Sequence, residues 1–191
     1  MLNNRLILCI AILFVSVVFT SIIFFQSSSA QTEFFGNIND TRTEQGIISS
    51  NETFASSLDL FIVPESDGGY GVYEERVSNT FAPGEDIVLY VEPVGFSYKP
   101  IVSNGETQYL MNFTADLVIT DTEGNVLGGF EDLPISEIIS HHQNKELNLI
   151  ITLSQSQPFP EGNYKVLYTI QDEPSGNTFE ITKNIAIARA R

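Results

Sequence analysis

The chain has 191 residues, with 9 Lys and Arg against 24 Asp and Glu, 42% hydrophobic residues, no Trp and one Cys. That length suits one core and excludes two large domains. The charge imbalance excludes nucleic acid and anionic lipid as partners of the acidic part, since neither tolerates so much unneutralised negative charge.

Residues 1–30 form three zones: a basic start at Arg5, an uncharged and mostly apolar run over residues 6–25, and a polar tail ending Ser28-Ser29-Ala30. Small residues at positions 28 and 30 mark a signal peptide cut before Gln31. The run has 20 residues, and a helix of that length rises about 30 Å, enough to cross a bilayer's hydrocarbon. Two readings therefore stand: a signal peptide, or an N-terminal membrane anchor over residues 6–25. Both make the rest of the chain secreted or cell-surface, touching membrane only through this segment. Cys9 lies inside the run and reads as a small apolar residue of it. The 161 residues after the leader carry 8 basic and 24 acidic side chains and no cysteine. No disulfide staples the exported part, so its stability must come from a buried core.

Residues 31–57 are rich in Thr, Asn, Ser, Gly and Glu and are predicted to be a flexible polar linker. From residue 58 to 191 the pattern changes to short apolar runs separated by Gly, Pro, Asp and Asn, the spacing of an antiparallel sandwich. Strands are predicted over 58–63 and 70–77. After the turn signal Pro83-Gly84-Glu85, Ile87, Leu89 and Val91 alternate with Val88, Tyr90 and Glu92. Phe113, Ala115, Leu117 and Ile119 repeat that alternation, Asp121-Thr122-Glu123-Gly124 turns the chain, and 126–130 is the next strand. Residues 133–142 are predicted to be a short helix, capped by Asp132 with Pro134 in its first turn.

Leu147, Leu149, Ile151 and Leu153 mark another strand, and Tyr164, Val166, Tyr168 and Ile170 the one after it. Glu173-Pro174-Ser175-Gly176 predicts a type I turn. Phe179, Ile181, Ile185 and Ile187 follow on one parity; Lys183 interrupts it, which predicts a bulge. The sum is an all-β fold: an immunoglobulin-like antiparallel β-sandwich of seven to eight strands behind an N-terminal signal or anchor helix.

Several segments carry a resemblance: Tyr70-Gly71-Val72-Tyr73, Phe81-Ala82-Pro83-Gly84-Glu85, Leu89 through Phe96, Gly162-Asn163-Tyr164 and Asp172-Glu173-Pro174-Ser175-Gly176. The chain from 70 to 187 resembles an uncharacterised group of exported bacterial and archaeal proteins with an immunoglobulin-like or fibronectin-III-like domain. The resemblance implies the fold and no catalytic residues.

Four aromatic residues are candidate binding positions. Tyr90 takes the parity opposite Leu89 and Val91, so its ring is expected to face outward; Tyr73, Phe96 and Tyr98 would extend the patch, since aromatic rings offer flat apolar area with a polar tip. Glu137 and His141 are weak metal candidates, because residues four apart share a helix face. Asp121, Glu123 and Gly124 resemble part of a calcium loop, but the glycine is misplaced and the twelfth position, Asp132, holds the shorter acid. Calcium is left to diffuse attraction by the acidic surface, and no cofactor is expected. Asn39, Asn51 and Asn112 each begin an N-glycosylation triplet.

There is no nucleophile elbow, phosphate-binding glycine loop, thiol or zinc-binding helix motif in the exported part. The expectation is a non-catalytic cell-envelope or extracellular module that binds or supports a protein or glycan of the envelope. The alternative is a domain that binds a small ligand, carbohydrate or calcium. A hydrolase built from scattered acids ranks below both.

Overall fold

The computed structural model describes residues 46–189. The signal or anchor segment, Asn39 and the first part of the linker lie outside them. Nine strands occur among the described residues: β1 (Ala55–Ile62), β2 (Thr80–Phe81), β3 (Ile87–Val94), β4 (Lys99–Ser103), β5 (Glu106–Thr120), β6 (Val126–Ser140), β7 (Leu149–Leu153), β8 (Gly162–Asp172) and β9 (Asn177–Ile187). They form a three-stranded sheet in the order β1-β3-β7 and a six-stranded sheet in the order β2-β9-β8-β5-β4, with β6 also paired to β5. All neighbours are antiparallel except β2 and β9, which run parallel, so the purely antiparallel expectation gives way to a mixed sheet.

The period-two alternation does what it must: one parity of each sheet enters a shared core. Phe61, Leu89, Val91, Leu149 and Ile151 from the smaller sheet meet Phe113, Leu117, Tyr168, Ile170, Ile181 and Ile185 from the larger one in a single cluster. Each large side chain so buried stabilises the fold by about 1.5–3 kcal/mol.

Four local expectations are corrected. Residues 133–140 belong to β6 and residues 141 and 142 to the bend after it, and no helix forms. Pro134 is accommodated opposite Thr114 on a strand that pairs only with β5 among the described residues, and Asp132 takes a left-handed φ of 53° at a bulge, donating its N–H to Asp116 Oδ1 at 2.8 Å. Residues 70–77 form no strand; they belong to an irregular flap. Lys183 sits in register opposite Val166 without a bulge. It shares the core parity of Ile181 and Ile185 at the rim, where its ammonium lies 2.5 Å from Asp59 Oδ1 and donates to the Asp59 carbonyl at 2.9 Å. The last hairpin closes as a four-residue loop, Gly176 N–H to Asp172 O at 2.7 Å with Gly176 at φ 73°, one residue wider than a type I turn.

The linker boundary also moves. Phe54 is buried against Phe113 and Phe179, ring centroids 6.2 and 4.7 Å away, and Ile48 exchanges two backbone hydrogen bonds with Tyr98 at 2.9 Å. Residues 46–54 are thus a strap across the end of the domain. Gly95, at φ 72°, passes so close beneath it that a Cβ there would collide with the Thr53 carbonyl.

Candidate functional site

Tyr90 does take the parity opposite Leu89 and Val91, yet its ring is fully buried. The outer face of the smaller sheet is roofed by residues 63–78, under which Ile62, Val88 and Tyr90 form a second cluster with Leu58, Leu60, Tyr73 and Ile150. The Tyr73 ring lies 4.5 Å from that of Tyr90, centroid to centroid. This roof is the candidate site, and its construction is mostly polar.

The Tyr90 hydroxyl donates to Glu92 Oε1 at 2.7 Å and accepts the Gly71 N–H at 2.8 Å. Burial, then the Glu92 carboxylate, push its pKa far above the ordinary tyrosine value. It is a neutral pin, unsuited to act as base or nucleophile near neutral pH. Asp67 Oδ1 accepts from Gly69 N–H at 3.0 Å and from Asn148 Nδ2 at 3.1 Å, tying the flap to the segment before β7. The Ser66 hydroxyl donates to Val63 O at 2.6 Å and accepts Glu74 N–H at 3.2 Å. Arg76 anchors the far end: its guanidinium donates to Glu85 Oε1, Ser78 O and Thr80 O at 2.5, 3.1 and 2.7 Å and lies 4.3 Å over the Phe81 ring.

Gly68, Gly69 and Gly71 let the tip double back, with Gly68 N–H to Val72 O at 2.8 Å and Val72 N–H to Gly69 O at 3.1 Å. At Gly69 and Gly71 the φ values of 109° and 70° are ones that side-chain-bearing residues rarely adopt. The outcome is a pinned loop that presents Tyr70 and Val72 to solvent at its tip and Val77 beside the Arg76 anchor.

Phe96 and Tyr98 are corrected likewise: both are buried in the main core. Left-handed Gly95 turns the chain inward, Phe96 meets Phe113 at 5.6 Å, and the Tyr98 hydroxyl donates to Asn144 O at 2.9 Å. Burial raises the Tyr98 pKa. Tyr73, Tyr90, Phe96 and Tyr98 therefore form no exposed aromatic patch; the first two support the flap and the last two fill the core.

Glu137 lies on β6 and His141 in the bend just past its end, so the two do not share the helix face that a joint site required. His141 Nδ1 instead lies 3.7 Å from Glu106. Among the described residues no three His, Cys, Asp or Glu side chains are grouped to hold a metal ion. Asp121 spends its carboxylate on its own turn, accepting from Glu123 N–H, Asn125 N–H and Asn125 Nδ2 at 2.9, 2.9 and 2.8 Å. Those bonds, the Asn125 amide foremost, hold its pKa below the usual carboxylate range. Asn51 is exposed on the strap, whereas Asn112 is half-buried on β5 between β6 and β8.

Two buried polar residues escaped the sequence reading. Asp172, fully buried at the end of β8, accepts Ser97 N–H at 3.0 Å and Ser175 Oγ–H at 2.5 Å on Oδ2, while Oδ1 has no hydrogen-bond partner among the described residues. Burial raises its pKa against the pull of those bonds. Gln155 accepts from Gly84 and Phe159 N–H at 3.1 and 2.9 Å and donates to Glu85 O at 2.7 Å, knitting two loops together. Their only signal was a place at the end of an apolar strand, Asp172 as the last residue of β8 and Gln155 two positions past β7. Comparison with family models and with curated proteins returned no match.

Proposed function

We propose that the chain is an exported, non-catalytic module with an immunoglobulin-like sandwich, and that it holds a protein or glycan of the cell envelope against residues 63–78. The observation that carries this reading is the flap: a glycine-rich loop pinned through Tyr90, Asp67 and Arg76, with Tyr70, Val72 and Val77 turned out to solvent. An anchored loop that displays an aromatic and two branched apolar side chains has little entropy left to lose on binding. The leader's layout supports export, and two facing sheets with mostly antiparallel neighbours support the sandwich.

The test is photo-crosslinking from position 72 in cells that make the full chain. A discrete crosslinked partner that disappears in Tyr70→Ser/Val77→Ser, with the unfolding midpoint unchanged, is the expected result. Crosslinks only to bulk lipid, or a partner indifferent to the substitutions, would overturn the reading. The small-ligand alternative loses its aromatic seat because Tyr90, Phe96 and Tyr98 are buried. A thermal shift with calcium or an oligosaccharide would restore it, since a ligand at 100 times its Kd adds about 2.7 kcal/mol.

A further inference from the structure

The two halves of β6 differ in cover. Leu133, Ile135 and Ile138 pack against the core, while Val126, Leu127 and Phe130 are 69%, 55% and 50% exposed. Phe130 stands opposite Leu117, on the core side of its sheet, beyond the point where that cover ends. Among the described residues β6 pairs only with β5. Between a register shift at Leu127 and the bulge at Glu131–Asp132, the outer backbone edge of residues 128–130 therefore points away from the sheet without a strand partner among the described residues.

The charge along this edge has one sign. Glu131 and Asp132 bulge out between the pairs Ala115↔Leu133 and Leu117↔Phe130, Asp116 sits beside them bound to Asp132 N–H, and Glu123 is in the adjoining turn. The nearest base in register, Lys165, is opposite Thr120 on the other side of β5. Such acids guard an open edge against some strands and not others. A second copy of a chain with net charge −15 would bring its own Glu131 and Asp132 to the same place. Residues 31–45 of this chain bring Glu33, Asp40 and Glu44 against Arg42 alone. An extended strand carrying Lys or Arg at alternate positions meets no such repulsion.

We propose that residues 126–132 are a β-augmentation site for an extended basic segment of a partner protein. Its main chain would continue the six-stranded sheet, its apolar positions would cover Phe130 on the core side, and its cations would meet Glu131 and Asp132. The inference rests on the reading of the domain as a macromolecule-binding module and places a second contact surface away from the flap.

The test uses the full chain in detergent and an alternating lysine–valine heptapeptide as probe. Controls are the same peptide with glutamate for lysine and one with a central proline. Binding is followed by fluorescence anisotropy and its location by amide hydrogen exchange. The expected result is binding at least about tenfold tighter than the glutamate peptide shows, with exchange slowed at residues 126–132 and largely lost with the proline peptide. Glu131→Gln/Asp132→Asn should weaken binding about fivefold and flatten its salt dependence.

Equal binding of the proline peptide would mean charge adsorption without strand pairing and overturn the proposal. Amides of 126–132 already slow in the free protein, and released by Phe34→Ser/Phe35→Ser, would assign the edge to the chain's own N-terminal part. A concentration-dependent dimer abolished by Leu127→Lys would assign it to a second copy. Either result overturns the proposal. Protection at 63–78 instead would overturn the edge and leave the module reading standing, whereas failure of the flap crosslink with edge capture intact would do the reverse.

Discussion

The outer face of the three-stranded sheet and the leading half of β6 pose the same problem and receive opposite solutions. Both put large apolar side chains outside the shared core: Tyr90, Val88 and Ile62 on the first, Val126, Leu127 and Phe130 on the second. The first is roofed by residues 63–78 and becomes a second, smaller core; the second is left uncovered by any of the described residues and is edged with acids. Burial here is decided by irregular segments laid over the sheets, which strand alternation alone does not reveal.

The comparison breaks most severely at the roofed face. Tyr90→Ala should cost about 3–5 kcal/mol, measured by denaturant unfolding, because it empties a filled site and frees the flap. Gly95→Ala tests the other covering segment, the strap. A side chain at φ 72° that collides with Thr53 should cost about 2 kcal/mol and speed hydrogen exchange at residues 46–54. Tyr90→Phe keeps the ring and removes the pin. It should cost about 1–2 kcal/mol and raise exchange at Gly71 while the main core stays protected.

Asp172→Asn sharpens the comparison through pH. Because the folded pKa of Asp172 is raised, its favourable contribution is full below the ordinary carboxylate pKa and lost as pH rises through the folded value. Relative to Asp172→Asn, the native chain should therefore gain stability as pH falls from 7 towards 4, as thermal melts across that range will show. At the open edge, Phe130→Ser should shift stability by no more than about 0.5 kcal/mol, within the range of ordinary surface changes.

The strands of the core were legible because Ile87-Leu89-Val91, Phe113 through Ile119 and Val166-Tyr168-Ile170 obey a strict period of two. The parity of Tyr90 was legible as well. Its burial was not, because residues 70–77 read as a strand of their own and not as a roof, while the contacts that fix the flap come from Tyr90, from Glu85 and, 81 positions along the chain, from Asn148. Asp132 followed by Pro134 imitates a helix start, and only the pairing to β5 decides for a strand. Lys183 looked like an interruption because parity assigns it to the core, whereas the rim gives its long stem apolar company and its ammonium a carboxylate. The flap's exposed tip and the uncovered end of β6 depend on where neighbouring segments stop, which no local pattern encodes.

The Lys183 contact joins the first long strand to the last. β1 leads into the domain and β9 leads out of it, each in a different sheet, and the ammonium bridges them through both the carboxylate and the carbonyl of Asp59. Sliding β1 past β9, and with it one sheet past the other, must break this pair and draw the ammonium off the Phe61 ring 5.9 Å away, so Lys183→Met should ease separation of the sheets and lower the unfolding force.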